Sequence, residues 1–280
     1  MKYSALLVIP LVFLASQTLH AQQQTSAPAS SPAPAVTAAP APVSPAVTSM
    51  TPRQLAILHA DIMMARKEFE EAIKAYEEVL VATPHDSEIL NKVGVAYQQL
   101  DQLNHAEHYY KSSIKADKTY MSAVNNIGTV EYEKKHYSKA ISYYIKASKL
   151  RGDMSTVYSN LGYGYFADKE YPEAMNAFQK ALQLDPDIFI RRGGYGTTIQ
   201  QRTSTDPGLF YYFVAKTYAG AGDAEEAAHF LKLARDDGYT GFLSAQTDPA
   251  FAKVIKDPRV QEVLVVPPSY ARDRKPAMQN

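Results

Sequence analysis

From Arg53 to Gly241 apolar and charged residues recur at helical spacing. The pattern also repeats at longer range. Units starting at 53, 87, 121 and 155 superimpose without insertion, a period of 34 residues. The eighth position is small in every unit: Ala60, Gly94, Gly128 and Gly162. The twentieth is always alanine, at Ala72, Ala106, Ala140 and Ala174. Large rings hold the twenty-fourth, as Tyr76, Tyr110, Tyr144 and Phe178, while the seventeenth is Phe69, Leu103, Tyr137 and Tyr171. Two antiparallel helices per unit account for these types. Small residues stand where the helices cross, and the ring fills the space beside the next unit. Pro84 and Pro186, at position 32, end the second helix, since proline lacks the amide proton and clashes with the preceding turn.

This pattern resembles the tetratricopeptide-repeat (TPR) family over residues 53–188. The resemblance implies an all-α, right-handed solenoid of helix-turn-helix repeats. A fifth unit matches from Gly208 to Gly241, through Val214, Ala215, Tyr218, Ala227, Leu231 and Ala234. It is displaced by residues 189–207, a polar, glycine-containing insert expected to be a mobile loop. Two Asp-Pro pairs, Asp248-Pro249 and Asp257-Pro258, read as helix starts, with helices expected at about 249–255 and 258–264. Residues 242–264 are thus expected to cap the last repeat, as a solenoid requires. Residues 265–280, with Pro267, Pro268 and Pro276, read as a tail.

The amino-terminal sequence has a different character. Lys2, the apolar run Ala5–Ala15 and the small residue Ala21 read as a signal peptide over 1–21, cleaved before Gln22. Its apolar run is well short of the roughly 20 residues that span a bilayer. Residues 22–50 hold no charge and carry Pro28, Pro32, Pro34, Pro40, Pro42 and Pro45, so a disordered linker is expected. The protein is therefore expected to be exported, periplasmic or secreted, without membrane insertion after cleavage.

Composition narrows the chemistry. Lys plus Arg equals Asp plus Glu at 29 each, which gives no general attraction to nucleic acid. The absence of cysteine excludes disulfides, thiolate zinc sites, a thiol nucleophile and a lipid-bearing cysteine. His105 and His108 share one helix face but have no third ligand in the sequence, and read as a solvated face. Gly193, Gly194 and Gly196 follow Arg191 and Arg192 without the strand and helix of a phosphate cradle, and read as loop. No paired catalytic signature occurs, so no catalytic residue, cofactor or metal is expected.

The resemblance implies instead that function lies on the concave side, lined by the first helix of each unit at positions 2, 5, 6, 9, 12 and 13. The candidate groove residues are Asn91, Asn125, Asn126, Thr129, Tyr132, Ser159, Asn160, Tyr163, Phe166, Tyr212 and Lys216. In some members an asparagine at position 6, here Asn126 and Asn160, bonds the backbone of an extended peptide, since its amide both donates and accepts. The Lys, Asn and Arg set of chaperone-tail binders is not assembled. The expected function is an exported scaffold binding a protein or extended peptide, in cell-envelope assembly. A self-associating structural module is the alternative, and an enzyme using the 189–207 insert comes last.

Overall fold

The computed structural model describes residues 50–190 and 206–265. The signal and linker readings, most of the insert and the tail lie outside the described residues. All regular structure among the described residues is helical. The helices pair as α1 (Pro52–Arg66) with α2 (Phe69–Ala82), α3 (Ser87–Gln99) with α4 (Leu103–Ala116), α5 (Met121–Glu133) with α6 (Tyr137–Leu150), α7 (Ser155–Ala167) with α8 (Tyr171–Leu184), and α9 (Pro207–Ala221) with α10 (Ala224–Asp236). Each helix packs on its successor, both within a pair and from α2 to α8 between pairs, so five repeats stack in sequence order.

Local chemistry sets the starts and turns. Thr51 and Gln54 form a capping box ahead of α1, with Pro52 in its first turn. The Asp86 carboxylate accepts from the amides of Glu88 and Ile89 at 3.1 Å each, satisfying donors that α3 leaves free. The turn inside every repeat is the same. Lys67, Asp101, Lys135, Lys169 and Gly222 all have positive φ, and all stand at position 15. The next residue closes the turn on the carbonyl five residues back, as from Gln102 N–H to Tyr97 at 2.9 Å and from His136 N–H to Glu131 at 2.8 Å. This is the Schellman arrangement that consumes orphan carbonyls at a helix end. The fifth repeat obeys it too, with Asp223 N–H bonded to Tyr218 O at 3.0 Å, so the displaced frame from Gly208 is a real repeat.

The small residue at position 8 faces the ring at position 24 of its own repeat. A Cβ on Gly94 would stand 2.6 Å from the Tyr110 ring, on Gly128 2.7 Å from Tyr144, and on Gly162 2.4 Å from Phe178. Every tyrosine at position 24 also finds a polar partner on its own first helix. Tyr76 donates to Asp61, Tyr110 to Gln98 Oε1 at 2.7 Å, and Tyr144 to Thr129 Oγ1 at 3.3 Å. Phe178 has no hydroxyl. There the residue at position 9 is Tyr163, whose ring meets Phe178 edge-on at 5.5 Å. A buried phenol needs such a partner, and a buried phenyl ring needs another ring.

Three boundaries differ from the sequence reading. The second helix ends at position 30 in all four contiguous repeats, including those with Lys118 or Gly152 at position 32. Proline reinforces that stop but does not create it. Phe189, read as part of the insert, is buried against Phe178 at 5.4 Å and Tyr218 at 6.2 Å, and Pro207 is already helical. Only residues 191–205 of the insert lie outside the described residues.

The cap is more irregular than expected. It comprises the short α11 (Phe242–Ala245), a 3-10 turn at Pro249–Phe251 and α12 (Pro258–Val265). Asp248 does cap its segment, accepting from Ala250 N–H at 3.0 Å, and Asp257 accepts from Arg259 N–H at 2.9 Å. The first segment nevertheless stops after one turn, because so short a stretch cannot repay helix nucleation and the residue before Pro258 disfavours helix. Phe251, Val254, Val260, Val263 and Leu264 are all buried, and α12 packs on α10.

An ionic cluster joins repeats two and three away from the inner face. Glu107 on α4 meets Lys111 one turn on and Lys134 beyond α5, the latter at 2.5 Å. The two ammonium groups, Lys111 foremost, lower the Glu107 carboxyl to about 2. Its folded pKa lies below the unfolded value near 4.5, so the stability it contributes is present above that value. That stability is lost as pH falls from about 4.5 toward about 2. Glu107→Gln is expected to flatten the acid limb of the stability curve in that window and to leave its neutral shape alone. Chemical denaturation across pH checks this.

Candidate partner-binding face

The first helices α3, α5 and α7 carry a continuous chain of amides along one side. Asn126 Nδ2 donates to Asn91 Oδ1 at 3.1 Å, Asn125 Nδ2 to Asn126 Oδ1 at 3.3 Å, and Asn160 Nδ2 to Asn125 Oδ1 at 2.9 Å. The register follows from the repeat. Position 6 of one unit donates to position 5 of the unit before it, 35 residues back. The next step would run from position 6 of the fifth unit to Ser159. That residue is Phe213, which has no donor, and Ser159 Oγ is left buried without a hydrogen-bond partner. At the other end, position 6 of the second unit is Lys92. It reaches both Asp61 oxygens at 2.9 and 3.0 Å, because Ile57 at position 5 offers nothing to bond.

The amide row thus has two roles. It ties neighbouring repeats together, and it presents Asn125 and Asn126 half-buried, with donors and acceptors left over. Asn91 and Asn160 are nearly covered. Thr129 and Tyr132 are also buried, Thr129 as the acceptor for Tyr144 and Tyr132 against the ring of Tyr137 at 5.3 Å.

The aromatic end of the expected groove is core. Tyr163 is 2% exposed and stacks on Phe210 at 5.2 Å. Phe166, 7% exposed, meets Phe210 and Phe213 at 5.6 Å each. Tyr212 stacks on Tyr239 at 4.3 Å and lies under Phe251, and burial pushes its hydroxyl up to about 12. Lys216 Nζ is paired with Asp248 Oδ2 of the cap at 2.6 Å. The physical reason is that α9 and the cap fold over this end. Positions 9 and 12 are interior in the third repeat as well, at Thr129 and Tyr132, and α9 lays the rings of Phe210 and Phe213 over the same positions in the fourth.

The polar set at the amino-terminal end stands at inner-face positions of the repeat, though none of it is among the candidate groove residues. A shallow hollow of about 280 Å³ is lined by Asp61, Met64, Ala65, Tyr76, Lys92 and Val95. Burial works against the Lys92 charge, but the Asp61 carboxylate outweighs it and the net effect raises the lysine. Burial and Asp61 together push the Tyr76 phenol up. Beyond the hollow, Gln98 Nε2 donates to Glu133 Oε1 at 2.8 Å, and burial raises the Glu133 carboxyl. The available signal was charge opposition between position 9 of one unit and position 6 of the next. His105 is exposed and lies flat on Tyr97 at 5.0 Å, and His108 is exposed beside Tyr109.

Two family models, both described as tetratricopeptide repeat, match residues 87–120 and 155–188. These spans coincide with the second and fourth units, and five repeats share the fold. The chain carries tetratricopeptide repeats. Among solved structures, the TPR array is similar to one described as the functional characterization of Pseudomonas aeruginosa pilF, with 20% identity and a TM-score of 0.50. That match covers 75% of this chain and 88% of the other. A crystal structure of MamA is 24% identical, covering 64% of this chain and 93% of its own, at a TM-score of 0.46. YrrB, described as a TPR protein with an unusual peptide-binding site, is 18% identical, covering 69% and 89%, at 0.44. No curated protein matches the sequence. A TPR array is a protein-interaction scaffold, and on the first helices of this one Lys92 and Val95 at the hollow, and Asn125 and Asn126 on α5, are half-exposed.

Proposed function

We propose that this TPR protein is an exported scaffold that holds an extended segment of a partner protein along the inner side of its first three repeats, in assembly of the cell envelope. The observation that carries this reading is the half-exposed amide pair Asn125 and Asn126, tied through Asn91 to the helix that carries Lys92 and Val95 of the hollow. The amides can satisfy the backbone of an extended chain, and the hollow accepts one side chain. The carboxylates of Asp61, Glu88 and Glu133 outnumber the single ammonium of Lys92, so the segment should be neutral or cationic there. Export rests on the sequence of residues 1–21, and amino-terminal sequencing that finds Met1 retained would defeat it.

Val95→Arg tests the site. The residue is half-buried on the hollow's wall and also packs against the cluster of Ala106, Tyr110, Ile127 and Val130, so a long cation there obstructs the hollow at some cost in packing. With a partner segment identified by affinity capture, titration should show at least about tenfold weaker binding, the loss of roughly one buried side chain. The titration is made well below the variant's own melting transition, with the helical signal matching the parent's, so that lost packing does not pass for lost binding. Unchanged affinity would move the binding surface elsewhere on the array.

A further inference from the structure

The two ends of the array are finished differently. In the middle, positions 3 and 10 of each first helix meet the second helix of the repeat before. Gly164, at position 10 of the fourth repeat, lies against Ile141 and Tyr144 of α6. Position 3 is accordingly covered in later repeats, at Ile89 1%, Ala123 0%, Val157 1% and Phe210 1%. In the first repeat the same positions are Leu55, 39% exposed, and Ile62, 40% exposed. Leu58 between them is 36% exposed and Ala65 beyond them is exposed as well. Leu55, Leu58, Ile62 and Ala65 follow a 3-4-3 spacing, which is the a and d seam of a helix meant to pack on another helix. Ala60, on the opposite side of α1, is fully buried in its own repeat.

We infer that this seam is a dimerisation face, and that its occupant is α1 of a second copy, antiparallel to the first. The covering element at the equivalent face of every later repeat is a helix. Residues 22–50, with prolines from 28 to 45, lack the apolar helical period such an element needs, and the apolar run Ala5–Ala15 lies in the segment that the proposed export removes. Head-to-tail stacking of copies is closed off, because α12 already covers α10 at the other end. What remains is a two-fold pairing of the free end with itself, an isologous contact that terminates at two chains. A two-fold axis level with residue 60 layers Leu58 on Ile62 of the second copy and Leu55 on its Ala65. The antiparallel arrangement also sets each helix dipole against the other's opposite end. The seam shares Ala65 with the wall of the hollow, but its large residues Leu55, Leu58 and Ile62 do not line it, so their substitution separates pairing of copies from occupation of the hollow.

Sedimentation velocity of the full chain over a concentration series tests it. The wild-type chain should move from monomer to dimer and stop there. The double variant Leu58→Glu/Ile62→Glu should remain monomeric at every concentration, with the same helical signal and, at dilutions where the wild type is also a monomer, the same melting temperature. Because the chain has no cysteine, Leu58→Cys/Ile62→Cys should give a covalent dimer on mild oxidation, while each single variant crosslinks poorly. A monomer at all concentrations overturns the inference, and so does a dimer that survives the glutamates. A monomer whose melting temperature falls with the glutamates overturns it too, since the face would then be packed on the chain's own upstream residues.

Discussion

Tyr163→Ala is expected to lower the melting temperature by on the order of 10 °C and to act on folding, with any effect on binding secondary. The residue sits where a groove-lining side chain would stand in an open superhelix. Here its ring is enclosed by Phe178, edge-on at 5.5 Å, and Phe210, stacked at 5.2 Å. Truncating a fully buried large ring costs about 3–5 kcal/mol, and in a domain of this size each kcal/mol moves the midpoint by about 2–4 °C. Tyr163→Phe separates packing from the hydroxyl, and it should retain most of the stability because the ring contacts remain. Thermal unfolding followed by far-ultraviolet circular dichroism checks both. A Tyr163→Ala variant that melts like the parent but loses a captured partner would return the ring to the groove.

The second large effect is expected at Gly162→Leu. A Cβ alone would stand 2.4 Å from two carbons of the Phe178 ring, and that ring is held on its other sides by Tyr163, Phe189 and Phe210. Overpacking of this kind typically costs about 1–3 kcal/mol. The crossing lies between the third repeat and the fifth, so the damage should also uncouple the two ends, since repeat stabilities combine through their interfaces. Denaturant unfolding should broaden or split into two steps. A single transition at the parent's midpoint would contradict the assigned close approach of α7 and α8.

The contrast between these residues shows what the sequence makes legible. Gly94, Gly128 and Gly162 facing Tyr110, Tyr144 and Phe178 is a local relation, fixed by a constant 16-residue offset inside one hairpin. Spacing alone reveals it, and so it reveals the repeats. Whether position 9 or 12 is open depends on what the following repeat lays over it, which no spacing inside the unit records. Asn125 and Asn126 stay half-exposed because the next unit brings small Ser159 and Asn160, whose amide bonds sideways to Asn125. Tyr163 and Phe166 disappear because Phe210 and Phe213 arrive next. A reader could have noticed that position 6 changes from asparagine at 126 and 160 to phenylalanine at 213. That single change marks the end of the polar row. Phe189 was hidden for another reason: it belongs to no repeat position, yet it plugs the seam between α8 and α9.

The amide row has a consequence for how such an array could be lengthened by duplication or by design. Each link joins position 6 of a unit to position 5 of its predecessor, so a new unit spliced between Tyr120 and Met121 must supply both ends of the link. Asparagine at its fifth and sixth positions would carry the row through unbroken. A unit with apolar residues there would strand the Asn91 and Asn126 amides as mismatched faces at a buried joint. The carboxyl end offers no such freedom, because the cap grips Tyr212 and Lys216 directly. Growth of this scaffold is therefore confined to its interior, and the grammar of permitted additions is written in two side chains per unit.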